Sequence, residues 1–171
     1  NPSQEGEVMQ FDLSQKGIDK MIAELAKKEK AMSQEQAQKF LTLATERGRY
    51  LVQENLMLYG KIDSGNLVNS VQTQVDPARG VGYVRVTDKA AKYVEYGTGI
   101  VGQNSRQHPN KPAGWQHNVG RTINPITHKW NFFKWGKWNT TSGQEASPFF
   151  YNAEMRLRDE LPRIAREVFN K

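Results

Sequence analysis

The spacing of apolar residues changes period near the start of the chain, and the two periods predict two different elements. Residues 8–13 alternate apolar and polar side chains, which is the pattern of a short β-strand. From Ile18 the apolar positions recur at helical spacing as far as Ala26. We therefore predict a strand followed by a first helix that ends near Met32.

The next segment carries the signals of a long helix. Ser33 and Gln36 have the spacing of a capping box, in which each side chain satisfies the other's free backbone amide. Apolar residues then keep helical spacing over residues 37–59 until Gly60 ends the pattern. Gly48 falls on this apolar stripe, where a missing side chain lets another backbone come close. We predict a second helix of about six turns.

Two β-rich runs follow, separated by turn-forming residues. Apolar and polar residues alternate over residues 67–75, and a second β-rich run covers residues 81–86. The Pro and Gly within residues 76–80 favour the backbone angles of a tight turn. We predict an antiparallel hairpin, and after it a short helix that Asp88 caps and that Gly97-Thr98-Gly99 closes.

Residues 100–147, which we term the excursion, lack helical periodicity and are interrupted by Gly and Pro. Within them, residues 130–138 have the pattern of a tight hairpin around Gly136, with aromatic rings paired across its strands. The apolar positions of residues 150–168 predict a final helix with a kink at Pro162. The predicted fold class is α+β. It is a single domain, residues 1–171, in which a small antiparallel sheet packs against two N-terminal helices and one C-terminal helix.

The formal net charge of +6 is concentrated in the excursion. Residues 1–99 hold 13 basic and 13 acidic residues, whereas residues 100–147 hold six and one. The excursion also contains all four tryptophans and all three histidines. Loops of this length are uncommon unless they are functional or ordered by a partner, so we interpret the excursion as an interface arm.

Composition argues against several classes of protein. The chain has no cysteine, which excludes disulfides, thiolate metal sites and a cysteine nucleophile and favours a reducing compartment. No apolar run approaches the roughly 18 residues of a membrane span. The mean hydropathy is −0.76, and the polar residues 1–7 do not resemble a signal sequence. We expect a soluble protein that makes no membrane contact.

Patterns typical of catalysis and metal binding are missing from the sequence. His108, His117 and His128 are separated by nine and eleven residues, which matches no metal-ligand spacing. The sequence contains no nucleophile elbow, no zinc-protease motif and no paired carboxylates at a recognisable spacing. A phosphate-binding loop at Gly97 and Gly99 lacks the required spacing. We predict no enzyme activity, and hence no catalytic residue, cofactor or metal.

The order of several short motifs resembles that of a known family. The motifs are Gly65-Asn66-Leu67, Tyr93-Val94-Glu95-Tyr96-Gly97-Thr98-Gly99, Gly114-Trp115-Gln116 with the Trp-rich hairpin, and Pro148-Phe149. This order is similar to the tail-component family of tailed bacteriophages, the neck or tail-completion and head-tail joining proteins of long-tailed phages and phage-like particles. The resemblance covers the chain from about Asp63 onward. The family usually has an arginine just before Pro-Phe, where this chain has Ser147.

The resemblance implies a non-enzymatic virion protein, located in the neck or tail and assembled in the bacterial host cytoplasm. Its copies form a homo-oligomeric ring, a hexamer if it follows the sixfold tail, that contacts adjacent neck, connector, tail-tube or terminator proteins. The motif residues that the resemblance singles out are Gly65, Leu67, Tyr93, Glu95, Gly97, Thr98, Gly99, Pro148 and Phe149. A tail-terminator ring is a rival interpretation, because the two differ only in their place in the virion.

The aromatic residues of the excursion are candidates for a subunit or partner interface, since tryptophan dominates protein–protein hot spots. The alternative is that the rings only pack onto their own domain. For Glu95 we expect an ion pair between subunits. The candidate interface residues are Trp115, Trp130, Phe132, Trp135, Trp138 and Glu95.

The basic residues of the excursion are candidates for contact with nucleic acid. Interleaved Lys and Trp describe a single-strand nucleic-acid-binding module, which is a second rival. In a phage neck the same residues would contact genomic DNA without reading its sequence, although a solvated rim is the alternative. The candidates are Arg121, Lys129, Lys134 and Lys137. A third rival, a virion-associated wall hydrolase, lacks a credible catalytic pair.

Overall fold

The computed structural model describes residues 9–12, 33–61, 65–118 and 123–169. Within these ranges the chain divides into two compact units. The first unit comprises the described residues up to Asp88 together with those from Asn152 onward, and the second unit is Lys89–Tyr151. The helix predicted over residues 18–32 and the candidate Arg121 lie outside the described residues.

Helices and small antiparallel sheets make up the described chain, so the predicted α+β class is confirmed. The helices are α1 (Gln34–Leu58), α2 (Asn66–Asn69), α3 (Ala91–Tyr96), α4 (Gly99–Asn104) and α5 (Phe149–Phe169). The strands are β1 (Met9–Asp12), β2 (Val71–Asp76), β3 (Val81–Val86), β4 (Trp130–Lys134), β5 (Lys137–Thr141) and β6 (Gly143–Gln144). None of the helices in the described ranges is long and apolar enough to cross a bilayer.

Helix α1 begins and ends where the sequence predicts. The Ser33 hydroxyl accepts from the backbone N–H of Gln36, and the Gln36 side chain accepts from the N–H of Ser33, both at 3.2 Å. At the other end Gly60 adopts a left-handed φ of 65°, and the N–H of Lys61 donates to the Leu56 carbonyl at 2.9 Å. Nearby residues fix both ends, so the local sequence is enough to predict them.

Strands β2 and β3 form the predicted antiparallel hairpin, and β1 pairs with the other edge of β3. Between β2 and β3, the Asp76 carboxylate accepts from the N–H of Arg79 at 3.2 Å, and Gly80 has a left-handed φ of 65°. Val84 and Val86 of β3 are fully buried. These features hold the sheet together at its turn and along its central strand.

Helix α1 packs against this sheet through a buried stripe. Thr73 of β2 donates to the Glu46 carboxylate of α1 at 2.9 Å, and Gln53 of α1 donates to the Val68 carbonyl of α2, just before the sheet, at 3.1 Å. The predicted glycine of the stripe, Gly48, is buried. The buried residues of α1 are Phe40, Leu41, Ala44, Thr45, Gly48, Leu51, Val52 and Leu56.

Two local predictions around this hairpin are wrong. Residues 66–69 form a helical turn instead of the start of the strand, because Gly65 enters it with a left-handed φ of 78° and both Leu67 and Val68 become buried. An alternating strand would bury one of these two neighbours. Asp88 does not cap the helix that follows; Ala90 occupies the N-cap of α3 and makes no side-chain capping bond.

The part of α5 from Asn152 onward belongs to the first unit and packs along α1. Arg47 binds Glu160 through two hydrogen bonds of 2.6 and 2.8 Å, and Arg156 binds Glu54 at 2.6 Å. The helix runs through Pro162, and the kink at that residue stays a prediction. Its buried residues keep helical spacing: Ala153, Leu157, Leu161, Ile164, Ala165 and Val168.

Because of the Arg47–Glu160 pair, we expect the free energy of unfolding of the first unit to fall at acid pH. The hydrogen bond from Arg47 lowers the pKa of Glu160, so the pair contributes stability above the ordinary carboxyl pKa and loses it as pH falls through the lowered pKa. We expect Glu160→Gln to lower the free energy of unfolding by about 1 kcal/mol at neutral pH. Urea unfolding should show the two proteins converging as the pH falls below the ordinary carboxyl pKa. A Glu167→Gln control, at an exposed carboxylate of α5, should have little effect; a Glu160→Gln deficit that persists in acid would contradict this prediction.

Candidate functional site

In the second unit, the Tyr-Val-Glu-Tyr-Gly-Thr-Gly segment crosses the chain that leads into α5. Thr98 and Gly99 form antiparallel bridges with Gln144 and Gly143 of β6. The N–H of Ser147 donates to the Val94 carbonyl at 2.8 Å. The segment is therefore in direct contact with residues 143–147, which lie about 50 positions further along the sequence.

The glycines of the segment are required by this close crossing. A Cβ on Gly97 would lie 2.8 Å from the backbone nitrogen of Ala146, and one on Gly99 would lie 2.7 Å from the Trp130 ring. Both glycines also have left-handed φ angles, of 78° and 62°. Gly97 ends α3 as predicted, but Gly99 opens helix α4, in a stretch where we predicted no helix. The segment is a packing motif at these positions.

Glu95 is the centre of the crossing and is 1% exposed. Its Oε2 accepts from the backbone N–H of Phe150 at 2.9 Å, and its Oε1 accepts from the N–H of Tyr151 at 2.9 Å. Oε1 also lies 2.7 Å from Nε2 of His108. The carboxylate thus binds the free amides in the first turn of α5, where the helix dipole also favours a negative charge. We term this arrangement the Glu95 node.

The expectation of an ion pair between subunits at Glu95 is wrong. Both carboxylate oxygens are buried and bound to groups of their own chain, so they present nothing to a neighbour. The charge has an internal role instead, because it satisfies two buried donors and the partly buried N–H of Tyr151.

His108 is held in one tautomer. Its Nδ1 accepts from the backbone N–H of Asn110 at 2.9 Å, so the proton lies on Nε2, which donates to Glu95. The rings of Tyr96 and Tyr151 pack edge-on against it, with centroids at 4.8 and 5.3 Å. Since both ring nitrogens are bound within the chain, the pair offers neither a proton shuttle nor a metal ligand. Sequence analysis missed this residue, because the 13-position separation from Glu95 follows no motif.

Two of the four tryptophans pack within their own unit, which is the alternative that the sequence left open. Trp115 donates its indole N–H to the Gly97 carbonyl at 3.3 Å, and its half-buried ring lies 5.2 Å from that of Tyr96. Trp130 is only 8% exposed and packs against Gly99, where the missing Cβ leaves space for its ring.

The other two tryptophans lie exposed on the hairpin of β4 and β5, as predicted around Gly136. Trp135 and Gly136 form its two-residue turn, and both have positive φ angles, of 54° and 72°, as a type I′ turn requires. Phe133 and Trp138 are opposite each other in the register, and their rings meet edge to face at 5.6 Å. Phe133, Trp135 and Trp138 are 61%, 70% and 72% exposed.

The hairpin therefore has two different faces. Trp130 and the half-buried Phe132 point to one side, while the exposed side carries Asn131, Phe133, Trp138 and Thr140. The Thr140 hydroxyl donates to the Asn131 side chain at 2.8 Å, which ties the two strands across this exposed side. We term Phe133, Trp135 and Trp138 the aromatic tip.

Basic side chains lie along the hairpin that carries the aromatic tip. The Lys134 ammonium lies 4.5 Å from the centroid of the Trp135 ring, and Lys129 and Lys137 are exposed. The sequence has no Asp or Glu between Glu95 and Glu145. Three of the four predicted DNA-facing residues thus lie in or next to one hairpin, within a stretch of sequence, residues 96–144, that contains no Asp or Glu.

A cleft of about 510 Å³ lies elsewhere in the second unit. Its lining includes Lys111, His117 and His128 with several side-chain amides. Burial lowers the pKa of His117, and the charge of Lys111 lowers it further. Within the described ranges, no three or more of His, Cys, Asp and Glu come together as a metal site would require. The cleft thus brings two of the three histidines to one polar depression, separate from His108.

Comparison with known proteins gave no relative for this chain. Neither a family model, nor a curated protein, nor a solved structure matches it.

Proposed function

We propose that this chain is a structural virion protein of a tailed phage or phage-like particle. In this proposal its copies form an oligomeric ring in the neck, which completes the tail or joins it to the head. The observation that carries the proposal is the aromatic tip, where three large rings on a well-formed hairpin are 61–72% exposed.

The exposure of the aromatic tip favours a protein partner. Clustered exposed rings are a liability on a free surface and mark interaction sites. A Trp or Tyr ring contributes much binding energy at little entropic cost, because it is large and rigid. The type I′ turn and the cross-strand Phe133–Trp138 contact hold the tip in shape before any partner arrives. The hairpin is thus preorganised for a contact that the described part of the chain does not supply.

The Glu95 node supports a mechanical role. It joins the two motifs on which the resemblance to phage tail components rests, and it uses the carboxylate and the histidine to fasten the start of α5. A well-anchored second unit can carry load through its hairpin. In this proposal the partners are sister copies in the ring, adjacent connector, tail-tube or terminator proteins, and the DNA that passes through the neck.

Substitution of Trp135→Ala together with Trp138→Ala tests the proposal. Both rings are mostly exposed, so we expect the free energy of unfolding to fall by no more than about 1.5 kcal/mol, the upper range for the Phe133–Trp138 ring contact that is lost. Assembly should fail, because the rings that bind the partner are removed. Urea unfolding measures the first quantity, and light scattering after size-exclusion chromatography measures the second.

Trp130→Ala is the matched control in the same hairpin. Trp130 is 8% exposed, so its truncation should lower the free energy of unfolding by about 3–5 kcal/mol. If the Trp135/Trp138 variant instead lost stability and kept its assembly, the aromatic tip would be a packing element and the proposal would be wrong.

A single-strand nucleic-acid-binding module is the second candidate. The observation that favours it is the Lys134 ammonium over the Trp135 ring, in a segment without carboxylates. Titration of a labelled oligonucleotide across a range of salt concentrations separates the two proposals. Tight oligonucleotide binding that weakens steeply with salt supports the nucleic-acid-binding module. If no binding is seen at about 100 mM salt, that candidate function is excluded.

A further inference from the structure

The first unit has an exposed apolar surface on α1. Leu43, Tyr50 and Met57 follow one another at intervals of seven residues, so they lie on one side of the helix about 10 Å apart. They are 37%, 53% and 57% exposed, and Leu58 beside them is 75% exposed. We term these four residues the α1 stripe.

The α1 stripe is distinct from the side of α1 that packs against the sheet. At 100° per residue, Tyr50 lies on the side of the helix nearly opposite Gly48 and Val52, which are buried. Glu46 and Glu54 flank Tyr50, one on each side along the helix. Their side chains are 47% and 31% exposed, although each also pairs with an arginine of its own chain. The α1 stripe is thus an apolar strip edged with carboxylate–arginine ion pairs.

We propose that the α1 stripe is the docking site for the aromatic tip of a second copy of this chain. This inference rests on the proposed ring, because a closed ring needs a heterologous interface between two different surfaces of the same protein. The aromatic tip lies on the second unit and the α1 stripe on the first, so each copy carries one of each.

The two surfaces are both largely apolar. The tip presents three aromatic rings, and the stripe presents aliphatic and aromatic side chains beside the Glu46–Arg49 and Glu54–Arg156 ion pairs, with the Arg47 guanidinium 5.2 Å from the centroid of the Tyr50 ring. Three such rings carry about 450–750 Å² of surface, which is a large share of the roughly 800 Å² that one partner buries in a stable interface. The Leu and Met side chains of the α1 stripe can pack into the notch between Phe133 and Trp138, whose rings meet edge to face. A nucleic-acid base would instead need an open ring face on which to stack.

Two variants that each lose one surface test the inference. Trp135→Ser with Trp138→Ser removes the tip, and Tyr50→Lys with Met57→Lys places positive charge on the stripe. All four positions are more than half exposed, so both variants should fold. We expect each variant alone to be monomeric, because it lacks one half of the contact. An equimolar mixture should form a one-to-one dimer and nothing larger, since only one intact tip and one intact stripe then meet. Native mass spectrometry distinguishes these species.

Thr42→Lys is the control for added charge. Thr42 is an exposed residue of α1 that lies about 100° round the helix from Leu43, so its substitution should leave assembly intact. If wild type and the stripe variant both form rings, the tip docks elsewhere and this inference is overturned while the proposed function stands. If the stripe variant is monomeric but unfolds more easily, or the mixture gives no dimer, residues of the same chain cover the stripe and the inference is again wrong. A wild-type protein that stays monomeric overturns the proposed function itself.

Discussion

Glu95→Ala should lower the free energy of unfolding by about 3–5 kcal/mol, because each donor left without an acceptor in a buried site costs about 1–3 kcal/mol. The substitution leaves three donors without an acceptor: the buried His108 Nε2–H, the buried N–H of Phe150 and the partly buried N–H of Tyr151. It also removes the negative charge from the start of α5. The loss should appear in urea unfolding followed by tryptophan fluorescence, because Trp115 and Trp130 lie in the same unit.

Two further variants distinguish the stability lost with the buried Glu95 carboxylate from the effect of removing any negative charge. Glu145→Gln, at an exposed carboxylate of the same unit, should change the free energy of unfolding by less than about 0.5 kcal/mol. Glu95→Gln keeps one acceptor but turns an N–H₂ group towards donors, so its loss should fall between the two. A Glu95→Ala protein as stable as Glu145→Gln would show that the node does not hold α5.

Gly143→Ala should be similarly damaging, for a steric reason. A Cβ at Gly143 would collide with the carbonyl oxygen of Thr98, and the backbone φ of 108° is one that only glycine adopts easily. The nearest atoms are all backbone atoms of Thr98 and Gly99, so no side chain can move aside to relieve the collision. We expect a loss of more than about 3 kcal/mol, or no folded second unit at all.

Gly114→Ala isolates the conformational part of that cost. Gly114 has a left-handed φ of 80° in the same unit, but no atom lies within 4 Å of the place where its Cβ would be. Its substitution should cost about 1–2 kcal/mol, which is the price of the backbone angle alone. Equal losses at Gly143 and Gly114 in urea unfolding would show that the crossing of Thr98 and Gly143 is not tightly packed.

The elements that sequence predicts well are those whose signals are local. The two ends of α1 depend on Ser33, Gln36 and Gly60, each within a few residues of the helix end that it fixes. The hairpin of β4 and β5 depends on a two-residue turn at Trp135 and Gly136. Predictions went wrong where burial decided the outcome, as at Leu67 and Val68, since burial depends on distant residues.

The candidate site is less visible in the sequence because its contacts span the chain. Glu95 meets His108 and Phe150, which are 13 and 55 positions away, and no spacing rule joins the three. The four tryptophans are alike in composition, yet Trp130 is 8% exposed and Trp138 is 72% exposed. Position on the inner or outer face of one hairpin decides this difference, and the face is known only when the fold is known.

The mass of the purified wild-type protein under native conditions tests the central claim most directly. If the protein forms a ring, its mass should be one fixed multiple of the 19.5 kDa subunit. The Trp135→Ala/Trp138→Ala variant should lack this species. A single 19.5 kDa species at every concentration, unchanged by that double substitution, would contradict the claim that the aromatic tip joins copies of this chain into a ring.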